Sequence, residues 1–374
     1  MVISANYVCP INGLVDLDTP EPRRLRLASD VARQIGVERL VLPVLEESLL
    51  KTSRTKVRFL DHLIETLEIA AKSGIHVWIN FPAQRLLSMD WVPPYLVRGG
   101  VDLQADQVFV DGKVRRLRPY SWWRDPSILQ KRIALFRELV SAVAGHPTLS
   151  GWLIMDRAFE WARPDRHAAD LIVRSTVAEI REKDEAQTIL MSIGWKELLH
   201  PKLVQSLSGH VNGFHLGGLD RLSSHFSRPS GLVGELMVAA YMVSLGRSIL
   251  SDTIEVETGW AWPVRATDFE EVGQAYRWLA EQAPVGVVFP SLIDPEPALY
   301  PYPPWSFKPE LTRMGVIDRQ LEPKEHVESM IRQFAATRPK KDCFGYIDIS
   351  KDDYGADPEM HFPRLWNHFR DWVS

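Results

Sequence analysis

Short apolar runs rich in β-branched residues alternate with longer amphipathic stretches along the whole 374-residue chain. The short runs fall at residues 2–8, 39–44, 76–81, 151–155, 188–192, 211–216, 249–257 and 285–290. Their length and composition predict strands. Between them, residues 20–35, 56–73, 127–144, 166–183, 230–245, 268–282 and 323–336 carry apolar positions at helical spacing, such as Leu60, Leu63, Ile64 and Leu67 in the second. The first opens with proline and acidic residues, as helix starts often do.

Eight strands alternating with helices predict an α/β fold, a single (β/α)8 TIM barrel. A doubly wound nucleotide fold would place G-x-G-x-x-G after the first strand, whereas Cys9-Pro10-Ile11-Asn12-Gly13 follows here. The barrel is expected over residues 1–337. A C-terminal extension, 338–374, ends in an amphipathic segment with Phe362, Leu365, Trp366, Phe369 and Trp372, expected to pack on the barrel. Two connections are long. Residues 86–125 contain a hairpin pattern around Asp111-Gly112, and residues 291–321 carry Tyr300, Tyr302, Trp305 and Phe307. Loops of this length in a compact domain are usually functional, and in a barrel both emerge on the catalytic face.

A formal net charge of −4 argues against nucleic acid or an anionic membrane as partner. The basic clusters at residues 113–116 and 338–341 read as solvated loops. The two cysteines, Cys9 and Cys343, are too few for a disulfide framework and too far apart for a zinc motif. The start of the chain lacks a signal-peptide pattern and no segment reaches bilayer-spanning length, so a cytoplasmic protein is expected. Phosphate-loop, nucleophile-elbow and H-E-x-x-H motifs are absent, and no metal or organic cofactor is expected.

Glycoside hydrolysis needs two carboxyl groups flanking one bond. Strand seven supplies Glu255 and Glu257, which share parity and therefore face the same side. Glu257 lies nearer the C-terminal mouth, just before Gly259 and Trp260. After strand four come Asp156 and Glu160. Trp122, Trp123, Trp161, Trp195, Trp260, Trp262 and Trp305 fall in predicted strand-to-helix connections, where indole faces can stack on sugar rings. Tyr7, Asn80, Arg85, Lys196 and His215 sit near other strand tips and could bind hydroxyls.

Four segments in order resemble the clan A glycoside hydrolases. Tyr120-Ser121-Trp122-Trp123-Arg124-Asp125-Pro126 resembles the approach to the fourth strand, and Gly151-Trp152-Leu153-Ile154-Met155-Asp156-Arg157 the strand itself. Glu257-Thr258-Gly259-Trp260 is similar to the seventh-strand nucleophile motif, and residues 307–318 with Glu322-Pro323-Lys324 to the ending after strand eight. The resemblance covers roughly residues 1–337 and implies a retaining glycosidase acting on a β-linked glycoside, with Glu257 as nucleophile. The family's Asn-Glu at strand four is Asp156-Arg157 here. An arginine keeps its proton far above neutral pH and cannot act as general acid. The acid would come from Glu160, or from Asp156 if burial raised its pKa. The alternative is a carbohydrate-binding pseudoenzyme in which Arg157 and the aromatic groove only hold the sugar.

Overall fold

The structure is a computed structural model. It describes the chain apart from residues 9–21, 87–88, 98–101, 103–104, 106, 160–163, 218–230, 258–268, 283, 304, 308, 339–342 and 374. Eight parallel strands close into a barrel: β1 (Val2–Asn6), β2 (Arg39–Pro43), β3 (His76–Phe81), β4 (Leu149–Ile154), β5 (Thr188–Ile193), β6 (Gly213–Leu216), β7 (Ile254–Glu257) and β8 (Gly286–Phe289). Each pairs with its sequence neighbours, and β8 returns to β1 through Val2↔Gly286 to Ala5↔Phe289.

The periodicity located these strands with bounds within two residues of those observed, except at the start of the seventh. Ile249, expected at the start of the seventh strand, ends the helix Gly231–Ile249, and β7 begins at Ile254. That helix is apolar all round because it is covered twice: Val238 to Val243 are buried, and the C-terminal helix Pro358–Val373 lies across its outside. There Tyr241 donates its hydroxyl to the Phe362 carbonyl at 2.6 Å and packs against Trp366 and Phe369.

The inside of the barrel alternates bulk with bare backbone. Trp78 on β3 reaches across to Gly151 on β4, where an added Cβ would lie 2.5 Å from the indole. Trp78 joins Val41, Leu153, Leu190 and Val288 in a packed interior layer, so the barrel is filled rather than hollow. Polar residues at other inward positions form the site described below.

After β3, Arg85–Leu86, Met89–Trp91, Gln107–Val110 and Lys113–Arg116 form a separate four-stranded sheet. The predicted hairpin turns at Asp111 and Gly112, with φ of 49° and 71°, as a two-residue type I′ turn requires. After β8, Ser291–Ile293 pairs with Gly315–Ile317, tying both ends of the long connection together. Among the described residues, no helix is long and apolar enough to cross a membrane.

Candidate active site

Polar side chains line the barrel interior at two levels. In the deeper one, Arg39 of β2 donates from Nε to Ser4 Oγ at 2.8 Å, and its Nη2 pairs with Glu255. Its guanidinium lies 3.8 Å from the Trp78 ring centre, so the cation is enclosed by a carboxylate and a π face. Glu255, 1% exposed, accepts from His215 Nδ1 at 2.9 Å. Gly286 makes room, since a Cβ there would stand 2.7 Å from Glu255 Oε2.

His215 is neutral in this setting. Burial first, then the nearby Arg157 and Arg39 cations, lower its pKa from 6.5 to about 3 against an opposing pull from Asp156. Nδ1 therefore carries the proton that Glu255 accepts. Between pH 6.5 and 3 the unfolded chain binds a proton at this residue while the folded chain does not. Its contribution to stability is thus complete above pH 6.5 and is lost as pH falls. His215→Gln should flatten the fall of urea-unfolding free energy between pH 6 and 4 by about 1.4 kcal/mol per pH unit. An unchanged slope would show that His215 is not buried neutral.

The upper layer holds Glu257, the last residue of β7 and 8% exposed. Asn6, at the end of β1, donates from Nδ2 to its Oε1 at 3.2 Å. Arg157 Nη1 stands 3.8 Å from its Oε2. Gly217, one residue beyond β6, leaves space for the pair: a Cβ there would lie 2.9 Å from Glu257 Oε2 and 3.2 Å from Arg157 Nη1. Glu255 and Glu257 thus share parity but not surroundings. The first belongs to a closed ion network, and the second lies at the mouth.

The segment after β4 is tightly anchored. Asp156 Oδ2 accepts from the backbone N–H groups of Gln84 and Arg85 at 2.8 and 3.0 Å. Its Oδ1 accepts from Arg157 Nε at 2.9 Å and Ser192 Oγ at 3.0 Å. Burial is the largest influence on its pKa and acts upward, but Arg157 and the two backbone donors outweigh it and hold the carboxyl below its ordinary range. A carboxylate so held has no proton to give, which argues against Asp156 as the acid. Arg157 also donates from Nη2 to the Arg85 carbonyl at 2.9 Å. Two residues on, the Phe159 N–H reaches Glu197 Oε1 at 3.0 Å, while Glu197 Oε2 accepts from Gly194 N–H at 2.9 Å. Glu197 thereby pins the exit of β4 to the helix start after β5.

The other sequence candidates separate clearly. Glu160, Trp161, Trp260 and Trp262 lie outside the described residues. Trp123 is 1% exposed, stacked on Trp122 and edge-on to Phe159, so it belongs to the core rather than to a sugar-binding surface. Trp305 is likewise buried, at 3%. Its position in a connection did not expose it, because the connection folds back on itself through the Ser291–Ile293 and Gly315–Ile317 pairing. Trp195 is half-buried after β5, with Lys196 Nζ 5.9 Å from its ring centre. Asn80, at the end of β3, is buried with no partner for Oδ1 among the described residues, which leaves an acceptor for a ligand hydroxyl. Tyr7 is a core residue, and Arg85 is committed to Asp90 at 2.9 Å. Asn6, Ser192 and Glu197 were not singled out from sequence. The inward parity of Ser4 and Asn6 on a barrel strand was the available signal for the first; the other two needed the fold. Among the described residues, no group of three or more His, Cys, Asp or Glu side chains is arranged to hold a metal ion.

No family model matches this sequence, and no curated protein does. Solved structures match it in fold. The GH5_18 protein from Streptomyces cattleya, in complex with Manβ1-4GlcNAc, superposes with a TM-score of 0.66 at 14% identity, covering 91% of this chain and 82% of that one. The exo-β-1,4-mannosidase Op5Man5 from Opitutaceae bacterium strain TAV5 gives 0.70 at 14% identity, covering 90% of this chain; the match spans 59% of the mannosidase. The β-galactosidase from the Antarctic haloarchaeon Halorubrum lacusprofundi gives 0.62 at 12% identity, over 90% of this chain and 58% of that one. The chain shares the (β/α)8-barrel fold of these solved glycoside hydrolases.

Proposed function

We propose that this barrel is a retaining glycoside hydrolase for β-linked hexosides, with Glu257 as nucleophile and Glu160 as acid/base. The observation that carries the reading is the Glu257 carboxylate itself. It stands at the C-terminal end of β7, in the barrel mouth, with Asn6 on one oxygen and Arg157 facing the other. Active sites of this fold are built at that end of the strands.

Glu257 attacks the anomeric carbon as the glycosidic C–O bond breaks, and the leaving oxygen takes the proton of the Glu160 carboxyl. Glu160, now a carboxylate, removes a proton from water. That water attacks the anomeric carbon, releases Glu257 and leaves the configuration retained. Glu160 is assigned because its rivals are unsuited: Arg157 cannot release its proton, and Asp156 is ionised and held by four donors. No cofactor takes part. The Manβ1-4GlcNAc complex and the exo-β-1,4-mannosidase among the similar structures make β-mannosides the first substrates to try.

The presence of Arg157 where the family places its acid supports a second reading, a carbohydrate-binding site without hydrolysis. Aryl β-mannosides, β-glucosides and β-galactosides with good and poor leaving groups separate the two. Glu160→Gln should leave kcat/KM for dinitrophenyl glycosides within about 10-fold, because that leaving group needs no proton. For poor leaving groups the same variant should lose about 10²–10⁴-fold. Sugar binding without turnover of any substrate by the wild type would establish the second reading.

A further inference from the structure

We infer that Arg157 is a positioning residue for Glu257, a fixed cation that keeps the nucleophile ionised whatever the protonation state of the acid. The inference rests on the nucleophile assignment above and deepens it.

The backbone around Arg157 is held in an uncommon shape. Met155 and Arg157 both take left-handed conformations, with φ of 60° and 47°. Non-glycine residues in that region are sparsely populated and persist when the surroundings hold them there. Here the intervening Asp156 supplies the hold through its four donors. With Nε on Asp156 and Nη2 on the Arg85 carbonyl, the fork presents Nη1 to Glu257 Oε2 at 3.8 Å. Gly217 keeps that space clear from β6. Strain, anchoring and clearance all converge on one cation facing one carboxylate.

Other charged and titratable groups share this part of the barrel. Asp156 lies beside Arg157 after β4 and partly offsets its charge. His215 on β6 is neutral. Glu255 on β7 is matched by Arg39 from β2. Asn6 of β1 contributes an uncharged donor, and the β8 residue in register with Glu257 is Val288. Arg157 is therefore the cation that faces the nucleophile among the described residues. In a site with two interacting carboxyl groups, ionisation of one perturbs the other. A guanidinium at the nucleophile lowers that carboxyl's pKa by an amount that does not change with pH, so it stays ionised even when the acid's charge perturbs it.

The test is the pH dependence of covalent trapping by a 2-deoxy-2-fluoro-β-mannosyl fluoride. Its leaving group needs no acid, so the acidic limb reports Glu257 alone. Arg157→Gln should move that limb upward by about one to two pH units, while Arg157→Lys, which restores the charge, should keep it within about half a unit of wild type. An unmoved limb in Arg157→Gln overturns the inference. If that variant does not fold, Arg157→Lys still decides: a limb held in place supports the inference, and one moved by a full unit despite the retained charge overturns it. Absence of any Glu257 adduct in the wild type would instead defeat the nucleophile assignment, a separate outcome.

Discussion

Glu257→Gln is expected to lower kcat/KM for a dinitrophenyl β-glycoside by about 10⁴-fold or more, the scale seen when a covalent nucleophile is removed. The variant should stay folded. Glutamine fills the same volume at an 8%-exposed position, and the amide oxygen can still accept from Asn6. The loss should appear equally on good and poor leaving groups, because attack at the anomeric carbon is common to both. Glu160→Gln, by contrast, should discriminate between leaving groups. A loss below about 10-fold in Glu257→Gln would show that another group attacks the anomeric carbon.

Glu255→Ala is expected to cost about 3–5 kcal/mol of folding stability, because it strands the buried Arg39 guanidinium without its counter-charge. His215 loses its acceptor in the same variant. The double variant Arg39→Met with Glu255→Leu should recover much of that loss, since replacing a buried pair by apolar groups is often neutral. Urea unfolding of the two variants checks both expectations. A loss under about 1 kcal/mol in Glu255→Ala would show that the network is solvated in solution. Carboxylates two residues apart on one strand thus lead to opposite phenotypes. Glu257→Gln should lose turnover and keep its fold, whereas Glu255→Ala should lose stability.

The barrel was legible because its signal is local. Eight β-branched runs and the helices between them carry their periodicities within windows of a few residues, and the Asp111-Gly112 turn announces its own geometry. The division of labour between Glu255 and Glu257 was half legible. Parity places both on one face, but which of them meets Arg39 depends on the stagger of β2 across the barrel, which no local pattern encodes. Asp156 misled for the same reason. From sequence it is a carboxyl at a strand tip, and only the fold brings the Gln84 and Arg85 amides, 71–72 residues away, onto its oxygen. Trp123 and Trp305 differ from expectation for another reason: a position in a connection suggests exposure, whereas both side chains are packed. Arg157 stood out as a departure from the family pattern, yet its contact with Glu257 emerged only with the turn of the backbone at Met155 and Arg157.

The nucleophile assignment is tested most directly by incubating the wild-type protein with 2-deoxy-2-fluoro-β-mannosyl, glucosyl and galactosyl fluorides, then reading intact mass and mapping the modified peptide. One added fluorosugar, on the peptide that contains Glu257 and absent in Glu257→Gln, is the result expected. An adduct on Glu255 or on any other carboxylate, or no adduct although the same sugars bind, would contradict it.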